Sequence, residues 1–333
     1  MIKQILINGL GLFVLAMALS AQDQMNNAEF GNMPQPLSFL VDTEGMDPSV
    51  IMSLAWASYE RGDLGAALQY AQRVNVVMSH SSSDASYVIG LVMMHEGLHT
   101  LAERSFLQAL KYAHTTEERA DYSMSLAKLY FLMGEYEAMN QRLNDVIFPY
   151  YFNDDMQMHK VTLTQQWSQA RIILQREGLD RVIQMYRWQG LHHVDAVELL
   201  ALYAYVQDSY EQYAHAVELF LYSVVIQVGV LIERMMVYEP QYRFSSLQEL
   251  LQLSQLYPEM REYVEKGNIY RTLFLLASSL YAYEQSDVSR IIWNGLRLQP
   301  GSSPWLRRAN FRFFNPGQED LHSEIDMMIA TLR

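Results

Sequence analysis

The sequence predicts an all-α protein built from stacked antiparallel helical hairpins, about six to seven of them. Three observations predict it. Helix breakers are sparse, with 16 glycines and 9 prolines in 333 residues, while methionine and tyrosine reach 20 and 22. Half of the chain is apolar, which is ample for a large core in one elongated domain or two. Glycine-centred turns recur between amphipathic stretches, at Arg61-Gly62-Asp63-Leu64, Glu96-Gly97-Leu98 and Met133-Gly134-Glu135-Tyr136, and the glycines are 35 and 37 residues apart. A period of that length marks helical hairpins that stack because one hairpin alone cannot bury its apolar face.

Taken in order, Met1-Ile2-Lys3 gives a positive start, and Ile5 to Leu19 is mostly apolar. Ala18-Leu19-Ser20 then offers small residues ahead of Ala21-Gln22. That order predicts a secretory signal peptide over residues 1–21, cleaved near Ser20-Ala21-Gln22, so the protein is expected to be exported, periplasmic or secreted. Residues 22–47 are largely polar and read as a flexible arm. Asp47-Pro48 is a helix start, with the proline at the first helical position. Amphipathic helices follow over 48–148 in regular pairs and over 149–316 in divergent pairs. Pro240 and Pro258 break a pair expected between about 229 and 265. Residues 317–333 read as a terminal capping helix. The apolar run Leu219 to Ile232 is well short of the roughly 20 residues a membrane span needs, so it reads as a helix buried inside the protein.

The small residues of the pairs sit where two helices meet. Gly90 faces Ala102, Phe106 and Ala109 in the second pair. Ala55, Ala67 and Ala71 serve the first, and Ala127 and Tyr130 the third, where Met139 replaces a small residue. Looser pairs carry Ala170, Val182 and Tyr186, then Leu200-Ala201 with Tyr210 and Tyr213, then Ala277, Ser289, Trp293, Leu296 and Pro300. This pattern resembles the tetratricopeptide-repeat family, closely over 48–148 and loosely over 160–300. The resemblance implies a right-handed superhelix whose concave face, lined by the first helix of each pair, holds a protein or peptide partner. Carried over pair by pair, that face is Met52, Trp56 and Tyr59; Tyr87, Met94 and His95; Met124, Lys128 and Phe131; and Trp167 and Arg171. Such an aromatic and methionine surface suits an apolar peptide segment, a partner helix or an apolar small molecule. The same residue types at helical spacing also serve as intra-repeat core.

Composition excludes several functions. The formal charge of −13 and the absence of a dense Lys/Arg run make nucleic acid a poor partner. There is no cysteine, hence no disulfide, thiolate metal site, thiol nucleophile or lipid-bearing cysteine. No cofactor is expected. The first expectation is therefore a non-catalytic envelope scaffold or adaptor. A second is a ligand-binding accessory protein of a transporter, which resembles in broad plan the tetratricopeptide-like proteins of TRAP-type transporters but lacks their lipidated cysteine.

One motif points elsewhere. His95-Glu96-Gly97-Leu98-His99 reads H-E-x-x-H, and on a continuous helix its histidines could share a zinc ion, with Glu96 as general base and Glu117 or Glu118 as a third ligand. That would resemble the gluzincin metalloproteases. The repeat register instead puts a turn at Gly97 and separates the imidazoles, so no catalytic or metal residue is expected. Whether residues 86–108 form one helix or two decides between them. His192-His193 and Asp154-Asp155 read as surface residues.

Overall fold

A computed structural model describes Pro34 and residues 40–147, 156–187, 194–207, 209–266 and 268–317. The signal segment, most of the arm, Asp154-Asp155, His192-His193 and nearly all of the 317–333 helix lie outside the described residues. Among the described residues there are fifteen helices and no strand. Two compact units divide the chain, the first ending at Tyr122 and the second beginning at Ser123.

The first unit contains α1 (Pro48–Glu60), α2 (Leu64–Val77), α3 (Ser83–His95) and α4 (His99–Lys111). The unit boundary falls within α5 (Thr116–Met133). Helix starts are fixed by short polar side chains. Asp47 accepts from the Ser49 amide at 2.8 Å with Pro48 in the first turn, Asp63 accepts from Ala66 at 3.0 Å, and Ser82 from Ala85 at 3.2 Å. Gly62 and Gly97 close the pairs at φ +77° and +74°, which a side chain would strain. Each is held by the same two bonds. Gly62 N–H donates to Tyr59 O (2.9 Å) and Asp63 N–H to Ser58 O (2.9 Å); Gly97 N–H donates to Met94 O (3.1 Å) and Leu98 N–H to Met93 O (2.8 Å). Helices α1 and α2 pack as a pair, α3 and α4 as another. Helix α3 also packs on α2 and α1, which is the stacking expected of helical repeats.

The interface within the second pair turns on Gly90. A methyl group built there would lie 2.5 Å from the Phe106 ring, and Phe106, Ala102 and Ala109 have no exposed surface. Glycine is what lets α3 and α4 approach closely.

In the second unit lie α6 (Tyr136–Ile147), α7 (Met156–Glu177), α8 (Leu179–Tyr186), α9 (Val194–Val206), α10 (Tyr210–Tyr238), α11 (Leu247–Ser254), α12 (Pro258–Lys266), α13 (Ile269–Ala282), α14 (Ser286–Arg297) and α15 (Pro304–Phe314). The expected looser pairs are present as α7–α8, α9–α10 and α13–α14, and Ala170, Val182, Ala201, Ala277, Ser289 and Trp293 are fully buried in them. The short, broken pair expected between about 229 and 265 is present, but it begins later than residue 229. Residues 210–238 form one 29-residue helix, and the short pair is confined to α11 and α12. Gly229 lies inside α10 at a close approach: a methyl group there would meet the Arg187 carbonyl oxygen at 3.0 Å. Helix α10 is the axis of the unit, packed by α7, α8, α9, α11, α12 and α13. Its span Glu211–Tyr238 is long and apolar enough to cross a membrane, but 83% of the most apolar stretch is buried inside the protein, as the sequence predicts for Leu219 to Ile232.

A polar cluster is sealed into this core. Glu198 of α9 accepts from Arg271 and Thr272 of α13, and from Gln227 of α10 at 2.8 Å. All four are buried. Gln227 also donates to Thr272 Oγ1 at 3.1 Å. Every member has a partner, as burial requires.

Candidate partner-binding surface

Residues 86–108 form two helices. His95 is the last residue of α3, Gly97 turns the chain, and His99 is the first residue of α4. His95 is exposed, whereas Nε2 of His99 is buried with no hydrogen-bond partner. The two imidazoles therefore do not share a helix face, the arrangement on which the zinc reading depends. Among the described residues no group of three or more His, Asp or Glu side chains is placed to hold a metal ion.

Besides the exposed His95, the residues predicted for the concave face divide into three sets. Met52, Met94, Met124, Phe131 and Trp167 are buried, each under 10% exposed. For these five the expectation of an accessible binding face is corrected to core: an apolar side chain on the first helix of a pair also meets the neighbouring pair. Arg171 and Lys128 are half-buried. Arg171 is committed inside the second unit, with Nε donating to Glu218 at 2.9 Å and Nη1 to the Tyr283 hydroxyl at 2.6 Å, and its guanidinium lies 5.1 Å from the Tyr283 ring centroid. Ser168 adds a hydrogen bond to the same carboxylate at 2.9 Å, and His215 lies 3.9 Å from it. Burial alone would raise the Glu218 pKa, but the nearby His215, the hydrogen bonds from Arg171 and Ser168 and the arginine charge together hold it below its ordinary value.

The third set is a surface in the first unit. Trp56, Tyr59 and Tyr87 are half-buried and touch in sequence. Trp56 meets Tyr59 edge-on at 6.2 Å between centroids and Tyr87 at 5.9 Å. Tyr87 in turn meets Tyr122 at 4.6 Å and Phe106 at 5.8 Å. The row thus runs from α1 across α3 to α5, half-exposed at Trp56, Tyr59 and Tyr87 and buried at Tyr122 and Phe106. Burial raises the Tyr59 hydroxyl above its ordinary pKa. The Tyr122 hydroxyl is raised further, first by burial and then by the Asp84 and Glu118 carboxylates, and it donates to Asp84 at 3.1 Å. The Tyr59 and Tyr122 phenols are neutral over the physiological range, and the Asp84 and Glu118 carboxylates lie beside Tyr122. Tyr122, Phe106 and Asp84 were not among the residues predicted for this face. Tyr122 had a signal, since it lies 35 residues after Tyr87, one repeat on.

No family model matches the chain, and no curated protein matches it. A solved structure described as the functional characterization of Pseudomonas aeruginosa pilF aligns at 17% identity over 80% of this chain and 97% of that chain, with a TM-score of 0.37. At that score the likeness carries no argument about this chain.

Proposed function

We propose that this protein is an exported, non-catalytic scaffold or adaptor of the cell envelope whose first unit binds an apolar segment of a protein partner. The single observation behind this reading is the row Trp56–Tyr87–Tyr122, with Tyr59 at its end: rings in contact across α1, α3 and α5, of which Trp56, Tyr59 and Tyr87 are half-covered and Tyr122 is buried against Tyr87. Large aromatics of this kind supply much contact area at little loss of side-chain freedom, which is why they dominate binding energy at interfaces. The carboxylates of Asp84 and Glu118 favour a segment that carries basic residues beside its apolar anchor. The test is capture of partners by the exported form from its own envelope extract, with Trp56→Ala and Tyr87→Ala compared against the parent protein. Both variants should retain far-UV helicity and lose most of the bound partner, since truncating an interface anchor weakens binding by ~2 kcal/mol or more, roughly thirtyfold. Full retention of the partner by both variants, or loss of helicity in both, would overturn the reading.

A further inference from the structure

We propose that a cavity in the second unit binds a small neutral molecule with an apolar body and one hydrogen-bond donor. The cavity is about 200 Å³, bounded by the junction of α7 and α8 and by α11, α13 and α14. Its walls include Leu251, Leu273, Ile292 and Leu296, all buried, and Ile291 at its rim is 71% exposed. Drug-sized ligands occupy ~300–1,000 Å³. A dry apolar hole of about 150 Å³ already holds a benzene-sized guest, so one ring or a short branched chain is the size that fits.

Two of the wall residues have no side chain. A methyl group built on Gly178 or Gly295 would meet no atom within 4 Å, so the space beside each is open. Gly178 has φ +86°, which explains its identity by backbone alone. Gly295 has no such explanation. It sits inside α14, where alanine would stabilise the helix and would clash with nothing. The missing side chain at Gly295 thus leaves the volume beside it open at a cost to the helix.

Gln299 gives the guest its chemistry. It lines the cavity and is 6% exposed. Its Nε2 donates to the Gly295 carbonyl at 3.2 Å, which fixes the amide and leaves Oε1 as a buried acceptor with no partner. An acceptor sealed from water without a donor is unfavourable, and an O–H or N–H on the guest relieves it. The two carboxylates in the wall are engaged: Asp180 accepts from the Leu247 amide at 2.8 Å, and Glu177 faces Arg181 at 3.3 Å. Neither is set aside for a cation, and both disfavour an anion.

The test titrates the purified full chain with p-cresol and with toluene, which share a ring and methyl group and differ by one hydroxyl, read by saturation-transfer NMR and calorimetry. Both should bind saturably, p-cresol roughly five- to tenfold more tightly, the contribution of one buried neutral hydrogen bond. Gly295→Leu, which fills the open space, should abolish both while thermal stability holds or rises. Gln299→Met keeps the length and removes the acceptor, so it should erase the preference for p-cresol and leave toluene binding intact. Absence of saturable binding overturns the proposal, as does binding untouched by Gly295→Leu. Equal affinity for the two probes in the parent protein overturns the donor assignment. These outcomes are independent of the aromatic row, which lies in the other unit.

Discussion

Replacing Gly90 with alanine adds one carbon at the place where α3 and α4 approach most closely, and its consequence can be worked from the contact. The new Cβ would lie 2.5 Å from both Cδ1 and Cε1 of Phe106 and 3.1 Å from Cγ, whereas nonbonded carbons rest at about 3.5–4.0 Å. The ring must therefore retreat by roughly 1 Å. It has no free volume to enter, being fully buried and packed against Tyr87 at 5.8 Å. Overlap with two ring atoms at 2.5 Å puts this site in the upper part of the usual overpacking range, about 2–3 kcal/mol, and the helix preference of alanine over glycine returns about 1 kcal/mol. The expected net loss is about 1–2 kcal/mol, localised to the first unit. With two compact units, a single melting temperature would blur this, so the assay is native-state hydrogen exchange on amides of α3 and α4. Their protection should fall roughly 5- to 30-fold. Phe106→Leu should remove the clash, so that Gly90→Ala becomes neutral or stabilising on that background, with a coupling of about 1–3 kcal/mol between the sites. A Gly90→Ala protein with unchanged or greater protection would refute the close-approach argument.

Two further predictions concern the second unit. Glu284 ends α13 at φ +62° and is held by the bond pair seen at the glycine turns, with its own N–H donating to Tyr281 O at 3.0 Å and that of Gln285 to Leu280 O at 2.8 Å. Glu284→Gly should raise stability by about 0.5–1 kcal/mol in urea titration, because a non-glycine residue in that region is strained by about 1–2 kcal/mol, part of which the freer unfolded glycine cancels; a destabilised variant would contradict the assignment. Glu218 has a folded pKa below its ordinary 4.5, so its contribution is fully present above that value and is lost as pH falls through the lower folded pKa. Urea titrations from pH 6 down to pH 3 should therefore show a shallower acid loss of stability in Glu218→Gln than in the parent protein, and parallel curves would count against the Arg171–Glu218 pairing.

The legible parts of the fold were those written in local backbone chemistry. Gly62, Gly97 and Gly134 announce their turns because a left-handed residue favours glycine, and all three adopt φ between +74° and +77°. Glu284 does the same work without the residue that signals it, and so the turn between α13 and α14 left no mark in the glycine spacing. Gly229, by contrast, sits in an unbroken helix, where a methyl group would meet the Arg187 carbonyl oxygen at 3.0 Å. The face was less legible than the fold. Trp56, Tyr59 and Tyr87 are half-exposed, but Met94 and Phe131 share the helix position of Tyr59 and are buried, since exposure depends on what the next helix covers. Arg171 looked available because its partners, Glu218 and Tyr283, are 47 and 112 residues away in the chain.

The sealed cluster around Glu198 has a consequence for how the second unit reaches its native arrangement. Apolar faces on α9, α10 and α13 tolerate sliding, because one leucine contact resembles another. The carboxylate does not. Any docking of α9 that fails to deliver Glu198 to Arg271 strands a charge in a greasy interior, a defect that costs about 3–5 kcal/mol. The pair thereby acts as a proofreading element for helix alignment, contributing little to a correct assembly and rejecting those displaced by a turn.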